Sequence, residues 1–500
     1  MILRPAKDDF KVIGFYVGKL TVALGLAMFI PALVALVFKE WNPMLDFVTG
    51  ALIAIVTGLA LQIVSRTPKD LEWVHGLTVA ALSWLAAMLL GAVPMFLSGH
   101  FASYLDASFD AMSGFATTGL VLIQDLDHAS HALNMWRHLM MFMGGQGIVV
   151  IGLTFLMKGT AGAYRMYVGE AREEKILPNV IQTARFIWYV SLTYLALGTA
   201  ALTSVGILEG MRPVRALLHG IWIFIAAFDT GGFTPQSMNI LYYHSFPYEI
   251  ITTLIMVLGT MNFALHYALW SGNRGEIRRN IEVISLFATS TAIFLIAAFS
   301  IASLKIYPNA VALFRKSFYQ IISAHSGTGY STIYPENFTG SWGALAMFMT
   351  TLAMAFGGSV SSTAGGIKAL RIATFFKALR QDIKKIMSPF SAIVVEKFHH
   401  IKDLVLEEKF VRNSMVILAA YIFTYILGTV VGMFFGYPLD KALFEATSAV
   451  ANVGLSCGIT APSMPAAMKI VYIALMWVGR LEFISIFALA GFILAAIRGK

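Results

Sequence analysis

Phe109-Asp110-Ala111-Met112-Ser113-Gly114-Phe115-Ala116-Thr117-Thr118-Gly119-Leu120 is one of four related stretches in this chain. The last, Phe444-Glu445-Ala446-Thr447-Ser448-Ala449-Val450-Ala451-Asn452-Val453-Gly454-Leu455, shares its Phe, Ala, Ser, Ala, Gly and Leu, and Glu445 replaces Asp110. Two weaker copies centre on Gly232 and Gly329. Ten residues before each glycine stands an aromatic residue: Phe109, Trp222, Tyr319 or Phe444. Small pairs follow, Ser113-Gly114, Ala226-Ala227, Ser323-Ala324 and Ser448-Ala449. A large apolar side chain comes just after, Leu120, Phe233, Tyr330 or Leu455. A repeat of this kind means that one structural unit is used four times, and the expectation is an arrangement around an axis.

Composition places the chain in a membrane. Charged residues are 13% and hydrophobic residues 58%, too little polar surface for a soluble body of this size. The lone Cys457 excludes a disulfide within the chain. Crossing about 30 Å of hydrocarbon takes roughly 20 apolar residues. Ten such runs are read: 12–38 and 43–64 first, then a pair around each glycine unit, at 74–98 and 135–157, 183–208 and 247–270, 281–304 and 341–372, and 410–436 and 464–497. Between the members of each pair lies a segment too short to span. Such a segment reads as a re-entrant half-helix followed by extended chain, which is tolerated at depth only when buried in protein or facing water.

Most of the 36 Lys and Arg residues fall between runs on one side, including a dense group from Lys368 to Arg412. The positive-inside rule makes that side cytoplasmic. Both termini are then cytoplasmic, and all four half-helices enter from outside. The net charge of +9 is explained by topology and not by nucleic-acid binding. No cleavable leader is expected, because the first apolar run is too long and lacks a small-residue cleavage site.

Four extended loops facing a common axis suit one chemistry. A monovalent cation that sheds water needs oxygens at fixed distance, and backbone carbonyls supply them. Glycine permits the backbone angles that turn successive carbonyls inward. Each half-helix points the negative end of its dipole at the ion. Any one of these glycines alone would read as a helix-packing residue; four with matched flanks read as a pore.

Met112–Leu120 resembles the first filter loop of the Trk/Ktr/HKT superfamily of cation transporters, and Ser448–Ser456 resembles its last. Gly357-Gly358-Ser359-Val360-Ser361-Ser362-Thr363-Ala364-Gly365-Gly366-Ile367-Lys368 is similar to its intramembrane gate loop. Trp136-Arg137 with Gly144-Gly145-Gln146-Gly147 is similar to the second helix of its first repeat. The two extra N-terminal runs favour the bacterial TrkH-type branch. The chain departs from the pattern at Asp229, where the family more often has Asn, and at His325.

The resemblance implies an all-α polytopic membrane protein: four pseudo-symmetric helix–pore-loop–helix repeats around one pore, plus two extra N-terminal transmembrane helices. The expected boundaries are 1–70 for the extra helices and 71–165, 166–275, 276–390 and 391–500 for the repeats, with the gate loop in the third. The resemblance also implies channel-like potassium uptake across the cell inner membrane. Potassium would bind at Thr117, Thr118, Gly119, Thr230, Gly231, Gly232, Gly327, Thr328, Gly329, Asn452, Val453 and Gly454. A homodimer and cytoplasmic nucleotide-binding regulatory subunits of the TrkA/KtrA type are the partners it implies; no cofactor of the chain itself is evident.

Gly357, Gly358, Gly365 and Gly366 interrupt an apolar run and disfavour helix by about 1 kcal/mol each, so a break is expected there. The run lacks the Gly-Lys-Ser/Thr ending of a phosphate-binding loop. Gly357, Gly358, Ser359, Gly365, Gly366 and Lys368 are read as a gate, together with Arg480. A charge at bilayer depth is costly and by default functional. Arg480 is either a barrier to cations or half of a buried pair, with Glu482 as one candidate partner.

Asp110 and Glu445 read as carboxylates at the positive end of a helix dipole. Asp229 is read either as a partner of Arg137 or another basic residue, or as negative field at the outer mouth. The histidines lack metal-ligand spacing. Residues 377–409 are expected to form a cytoplasmic hairpin or a membrane-surface helix. The competing reading is a sodium- or proton-coupled alternating-access carrier; such folds pair two inverted halves, which four same-direction units do not match. No HExxH, nucleophile elbow or carboxylate dyad suggests an enzyme.

Overall fold

Long apolar helices alternate with short ones along the computed structural model of the chain, which describes residues 5–147, 150, 166, 168, 179–335, 340–389 and 391–498. Among the described residues, six helical stretches are long and apolar enough to cross a membrane: Lys7–Phe38, Trp41–Val64, Trp73–Leu97, Val180–Leu208, Ile281–Ser303 and Glu408–Phe434. Large apolar side chains point outward from them, such as Val37, Ile63, Phe287, Phe299 and Phe423, while Thr, Ser, Asn and Asp residues are buried inside. That distribution suits a lipid solvent, where polar groups must be satisfied within the protein. The protein is a multi-pass, helical membrane protein, and among the described residues one small hairpin is the exception.

The first two spans pack through small residues. A Cβ added to Gly18 or Gly58 would press on the carbonyl oxygen of the other. Close backbone approach of this kind is the usual way helices associate in lipid.

Four short helices stand between spans, at Tyr104–Phe115, Pro213–Phe228, Ala310–His325 and Leu439–Val450. They are the half-helices that the repeat predicts. Ser103 and Asn309 cap the first and third by accepting from the Asp106 and Ala312 amides, and Pro213 opens the second, where its missing N–H is not needed.

The break expected in the third repeat's second span is present, and the expectation of continuous second spans elsewhere is corrected. The second run of each repeat is broken near its middle. Phe246–Thr260 and Phe263–Trp270 meet at 102°, and Ala466–Arg480 and Ile484–Arg498 at 113°. Gly343–Ala355 stops where residues 356–368 leave helical geometry. His131–Gln146 ends at Gly147 (φ 97°), and the rest of run 135–157 lies mostly outside the described residues. The cause is shared by three repeats. A Cβ on Gly144, Gly259 or Gly479 would overlap the carbonyl oxygen of Phe115, Phe228 or Val450, four residues before the repeated glycine. The second helix thus abuts the end of its own short helix and turns there. In the fourth repeat the turn uses left-handed Glu482 (φ 48°) and Phe483 (φ 71°), a conformation that costs non-glycine residues about 1–2 kcal/mol.

The segment 377–409 contains the end of a helix and a strand hairpin. Helix Ala369–Ile386 carries Lys377, Arg380 and Lys384, and all three reach Glu396. Strands Lys397–His400 and Lys402–Val405 then form an antiparallel hairpin.

Candidate functional site: four glycine loops and the loop beneath them

Each short helix ends in the same way. Two residues before the repeated glycine the backbone is left-handed: Thr117 (φ 50°), Thr230 (51°), Gly327 (78°) and Asn452 (55°). The residue after it donates its amide five residues back: Thr118 to Ser113 O (2.8 Å), Gly231 to Ala226 O (2.8 Å), Thr328 to Ser323 O (3.0 Å) and Val453 to Ser448 O (2.9 Å). This is the Schellman closure, normally built on glycine. Here only the third loop has glycine at that place. Then comes the repeated glycine itself, again left-handed, at φ 97°, 73°, 78° and 88° for Gly119, Gly232, Gly329 and Gly454.

The four loops meet in a closed ring. A Cβ on Gly119 would collide with the Gly231 carbonyl oxygen, one on Gly232 with that of Thr328, one on Gly329 with that of Val453, and one on Gly454 with that of Thr118. Loop one therefore touches two, two touches three, three touches four, and four returns to one. The glycines are required twice over, for the sign of φ and for the absent side chain. Gly119 and Gly454 are partly exposed, while the other residues named for the loops are buried. Four helix C-termini, with the negative ends of their dipoles, converge on this ring.

Side chains lock the loops from behind. Ser113 and Ser448 accept, through their hydroxyls, the amides of Gly119 and Gly454, both at 3.0 Å. Asn452 donates to Thr118 Oγ1 (3.0 Å) and to the Met476 carbonyl (3.0 Å), joining loops four and one. The small residue six places before the glycine, visible in sequence, is thus a capping position in loops one and four.

Two expectations fail here. Asp229 does not pair with Arg137: it accepts from Gln146 Nε2 at 2.8 Å, against the glycine pair where the first repeat's second helix ends. Arg137 instead donates to the Thr234 carbonyl at 3.1 Å and stacks 4.3 Å from the Phe233 ring. Asp110 and Glu445 are not first-turn carboxylates either. They sit mid-helix, and each turns to the chain that leaves its loop. His325 is buried, with its Nε2 2.9 Å from Thr289 Oγ1 on helix Ile281–Ser303.

The loop 357–366 touches the second, third and fourth units directly. Thr363 Oγ1 is bonded to the carbonyls of Phe228 and Gly259, both at 2.8 Å, and lies 3.3 Å from Thr230 Oγ1. A Cβ on Gly327 would stand 3.6 Å from Ala364, and one on Gly365 would overlap the Ala451 carbonyl. Ser359 N donates to the Thr260 carbonyl (3.0 Å), and Val360 N to Glu282 Oε1 (2.7 Å).

Arg480 connects the loop to the first unit. It donates to the Thr363 carbonyl (2.6 Å), Thr117 Oγ1 (3.3 Å) and the Gly144 carbonyl (2.5 Å). Glu482, one partner the sequence offered for it, is engaged by Arg371 at 2.5 Å and Lys368 at 3.6 Å. Lys368 also holds the Ala364 carbonyl. Thr363, Glu282 and Arg371 were not singled out in sequence. Thr363 lies inside the quoted loop, but its partners are more than a hundred residues away.

Half-helices, broken spans and a ring of glycine loops define a membrane protein of the ion-transporter class. The family profile described as TrkH, cation transport protein, matches residues 45–281 and 277–495, and the chain belongs to that family. It is therefore a cation transport protein and not an enzyme. An uncharacterized cation transporter of Methanocaldococcus jannaschii is 30% identical, over 98% of this chain and 97% of the relative. The Trk system potassium uptake protein TrkG of Escherichia coli is 26% identical, over 94% of this chain and 96% of the relative. The crystal structure of the potassium transporter TrkH from Vibrio parahaemolyticus superposes with a TM-score of 0.81 at 23% identity, over 96% of this chain and 98% of that one.

Proposed function

We propose that the four repeats surround one pore and that the ring of loops is its potassium filter. The main-chain oxygens of residues 117–119, 230–232, 327–329 and 452–454 would replace the ion's water. The observation that carries this reading is the cyclic contact of each glycine with the carbonyl of the next loop. Two packed halves have no need of such a ring; a conduit with a filter does. The potassium named for the Escherichia coli and Vibrio proteins agrees with it.

The loop 357–366 is the gate in this reading, and Arg480 is its latch as well as a positive charge beneath the filter. It holds a carbonyl of the loop while bonded to the first filter unit. Lys368 is a second fastening, from the loop's own end. The positive-inside pattern supports a cell inner membrane location with cytoplasmic termini. A homodimer and soluble nucleotide-binding regulatory subunits on the cytoplasmic face complete the proposal, as the Trk system relatives suggest.

The purified chain in liposomes tests the reading. Potassium should cross down its gradient without a second ion, and sodium should cross more slowly. Strict dependence of potassium flux on a sodium or proton gradient would favour the carrier reading.

A further inference from the structure

Nine positions before the ring glycine, three of the four repeats carry a buried side chain that reaches forward over the loop. In the first, Asp110 Oδ1 accepts the amide of Leu122 at 2.5 Å. In the fourth, Glu445 Oε1 accepts the hydroxyl of Ser456 at 2.6 Å and the amide of Thr460 at 2.7 Å. In the third, Gln320 Nε2 donates to the Tyr330 carbonyl at 3.3 Å, and its Oε1 accepts from Ser331 Oγ at 3.1 Å. All three are fully buried. The filter segment is thus tied at both ends to one short helix: at its start by the Schellman closure, and just past its glycine by this side chain.

The second repeat has Ile223 at the same position and cannot make the tie. Its outgoing segment is held from neighbouring repeats instead. Arg137 donates to the Thr234 carbonyl at 3.1 Å, and His138 Nε2 lies 3.3 Å from the Phe233 carbonyl. Tyr330 Oη, from the third repeat, bridges the short helix and the outgoing chain, at 2.9 Å from the Ile223 carbonyl and 3.5 Å from the Phe233 carbonyl.

We infer that Asp110, Gln320 and Glu445 are positioning residues for ion discrimination, each fixing the outer end of its filter loop, and that Arg137 with His138 does this for the second loop. None needs to touch the ion. A carbonyl ring discriminates by holding its oxygens at set distances, and a loop tied at one end only can widen or shrink around a different ion. The first and fourth repeats have carboxylates, and theirs are also the ring glycines that are partly exposed, with least packing of their own. The inference rests on the filter reading above, and its test separates the two.

The full chain is reconstituted in liposomes, and the potassium-to-sodium permeability ratio is measured for Glu445→Gln, Glu445→Met, Gln320→Met and, as a probe of the ring itself, Gly119→Ser. Gln keeps an oxygen at the accepting position; Met keeps length and removes it. Hydrogen exchange of residues 455–460 is followed in the same samples. The expected result is a ratio several-fold lower in Glu445→Met and Gln320→Met, with faster exchange of 455–460 in Glu445→Met, and a ratio near parental in Glu445→Gln. If Gly119→Ser lowers the ratio but both Met variants keep it, the ties do not set discrimination and the inference fails while the filter stands. Equal loss in Glu445→Gln and Glu445→Met also overturns it, because the accepting oxygen is then not the cause. An unchanged ratio in Gly119→Ser overturns the filter reading itself. Should Glu445→Met not fold, Ser456→Ala and Ser331→Ala each remove one donor to a tie without changing the buried acceptor. They are expected to lower the ratio by a smaller factor, and parental ratios in both would overturn the inference.

Discussion

The glycine ring and the loop 357–366 lie next to each other, and both are rich in glycine, but they are fastened differently. Each ring loop closes on its own short helix through backbone hydrogen bonds three to six residues away, backed by a serine or a buried polar side chain of the same repeat in most units. The loop 357–366 closes on itself in places, as at Ser362 N to the Ser359 carbonyl and Lys368 to the Ala364 carbonyl, but it is held against its surroundings by distant partners: Phe228, Gly259, Thr260, Glu282 and Arg480. Local closure makes a rigid part. Fastening by a few side chains makes a part that can let go when those few contacts are exchanged. A filter needs the first property and a gate the second.

The largest expected effect comes from breaking the rigid part. Gly329→Ala places a Cβ on the Val453 carbonyl at a residue with φ 78°. The strained φ alone costs about 1 kcal/mol or more, and the overlap adds to it. Potassium selectivity should collapse, with a loss of folded yield seen by size-exclusion chromatography. A variant with parental selectivity and yield would mean that the third loop is not part of the ring.

Next comes the latch. Arg480→Ala and Arg480→Gln should both raise resting cation flux per folded protein, with Arg480→Lys intermediate, because a lysine keeps the charge but cannot span the Thr363 carbonyl, Thr117 and Gly144 together. Flux in Lys equal to that in Gln would leave no role for charge. Parental flux in all three would remove Arg480 from the gate.

Thr363→Val is a smaller change of the same kind. It keeps shape and removes the one hydroxyl proton shared between the Phe228 and Gly259 carbonyls, a bond worth about 0.5–1.5 kcal/mol. Resting flux should rise several-fold, less than for Arg480→Ala, while the potassium-to-sodium ratio stays parental. A changed ratio would place Thr363 in the filter instead.

The smallest effect lies at the hairpin of strands Lys397–His400 and Lys402–Val405. His399 sits between Glu276 (2.9 Å) and Asp403 (2.7 Å). Hydrogen bonds to these carboxylates, Glu276 first, raise its pKa above the ordinary histidine value. A raised folded pKa means that the tie is fully present below the unfolded value and is lost as pH rises through the folded one. Protease nicking of 397–405 should therefore speed up from mildly acidic to alkaline pH, and His399→Gln should flatten that dependence.

Much of this architecture was legible in the chain. The aromatic, the small pair and the glycine recur at fixed offsets, and each offset proves to be one step in a shared backbone: buried wedge, capping position, ring contact. The six long spans followed from run length. The breaks in the second spans did not, apart from the glycine-rich third. They arise where Gly144, Gly259 and Gly479 press on the ends of short helices about thirty residues earlier, and a single glycine in an apolar run carries no sign of that contact. Thr117, Thr230 and Asn452 in left-handed geometry were equally hidden, since threonine normally argues against it. Asp229 and Arg137 were the natural ion pair by charge alone. The fold places one against Gln146 and the other over Phe233.

The central claim is that cations lose water within the ring formed by the four loops. Crystals of the protein grown in rubidium, a potassium substitute with strong anomalous scattering, test it most directly. The account predicts an anomalous peak on the ring axis, within coordination distance of main-chain oxygens from all four loops, that weakens when sodium replaces rubidium. Rubidium bound elsewhere in the protein, with none between Gly119, Gly232, Gly329 and Gly454, would contradict it.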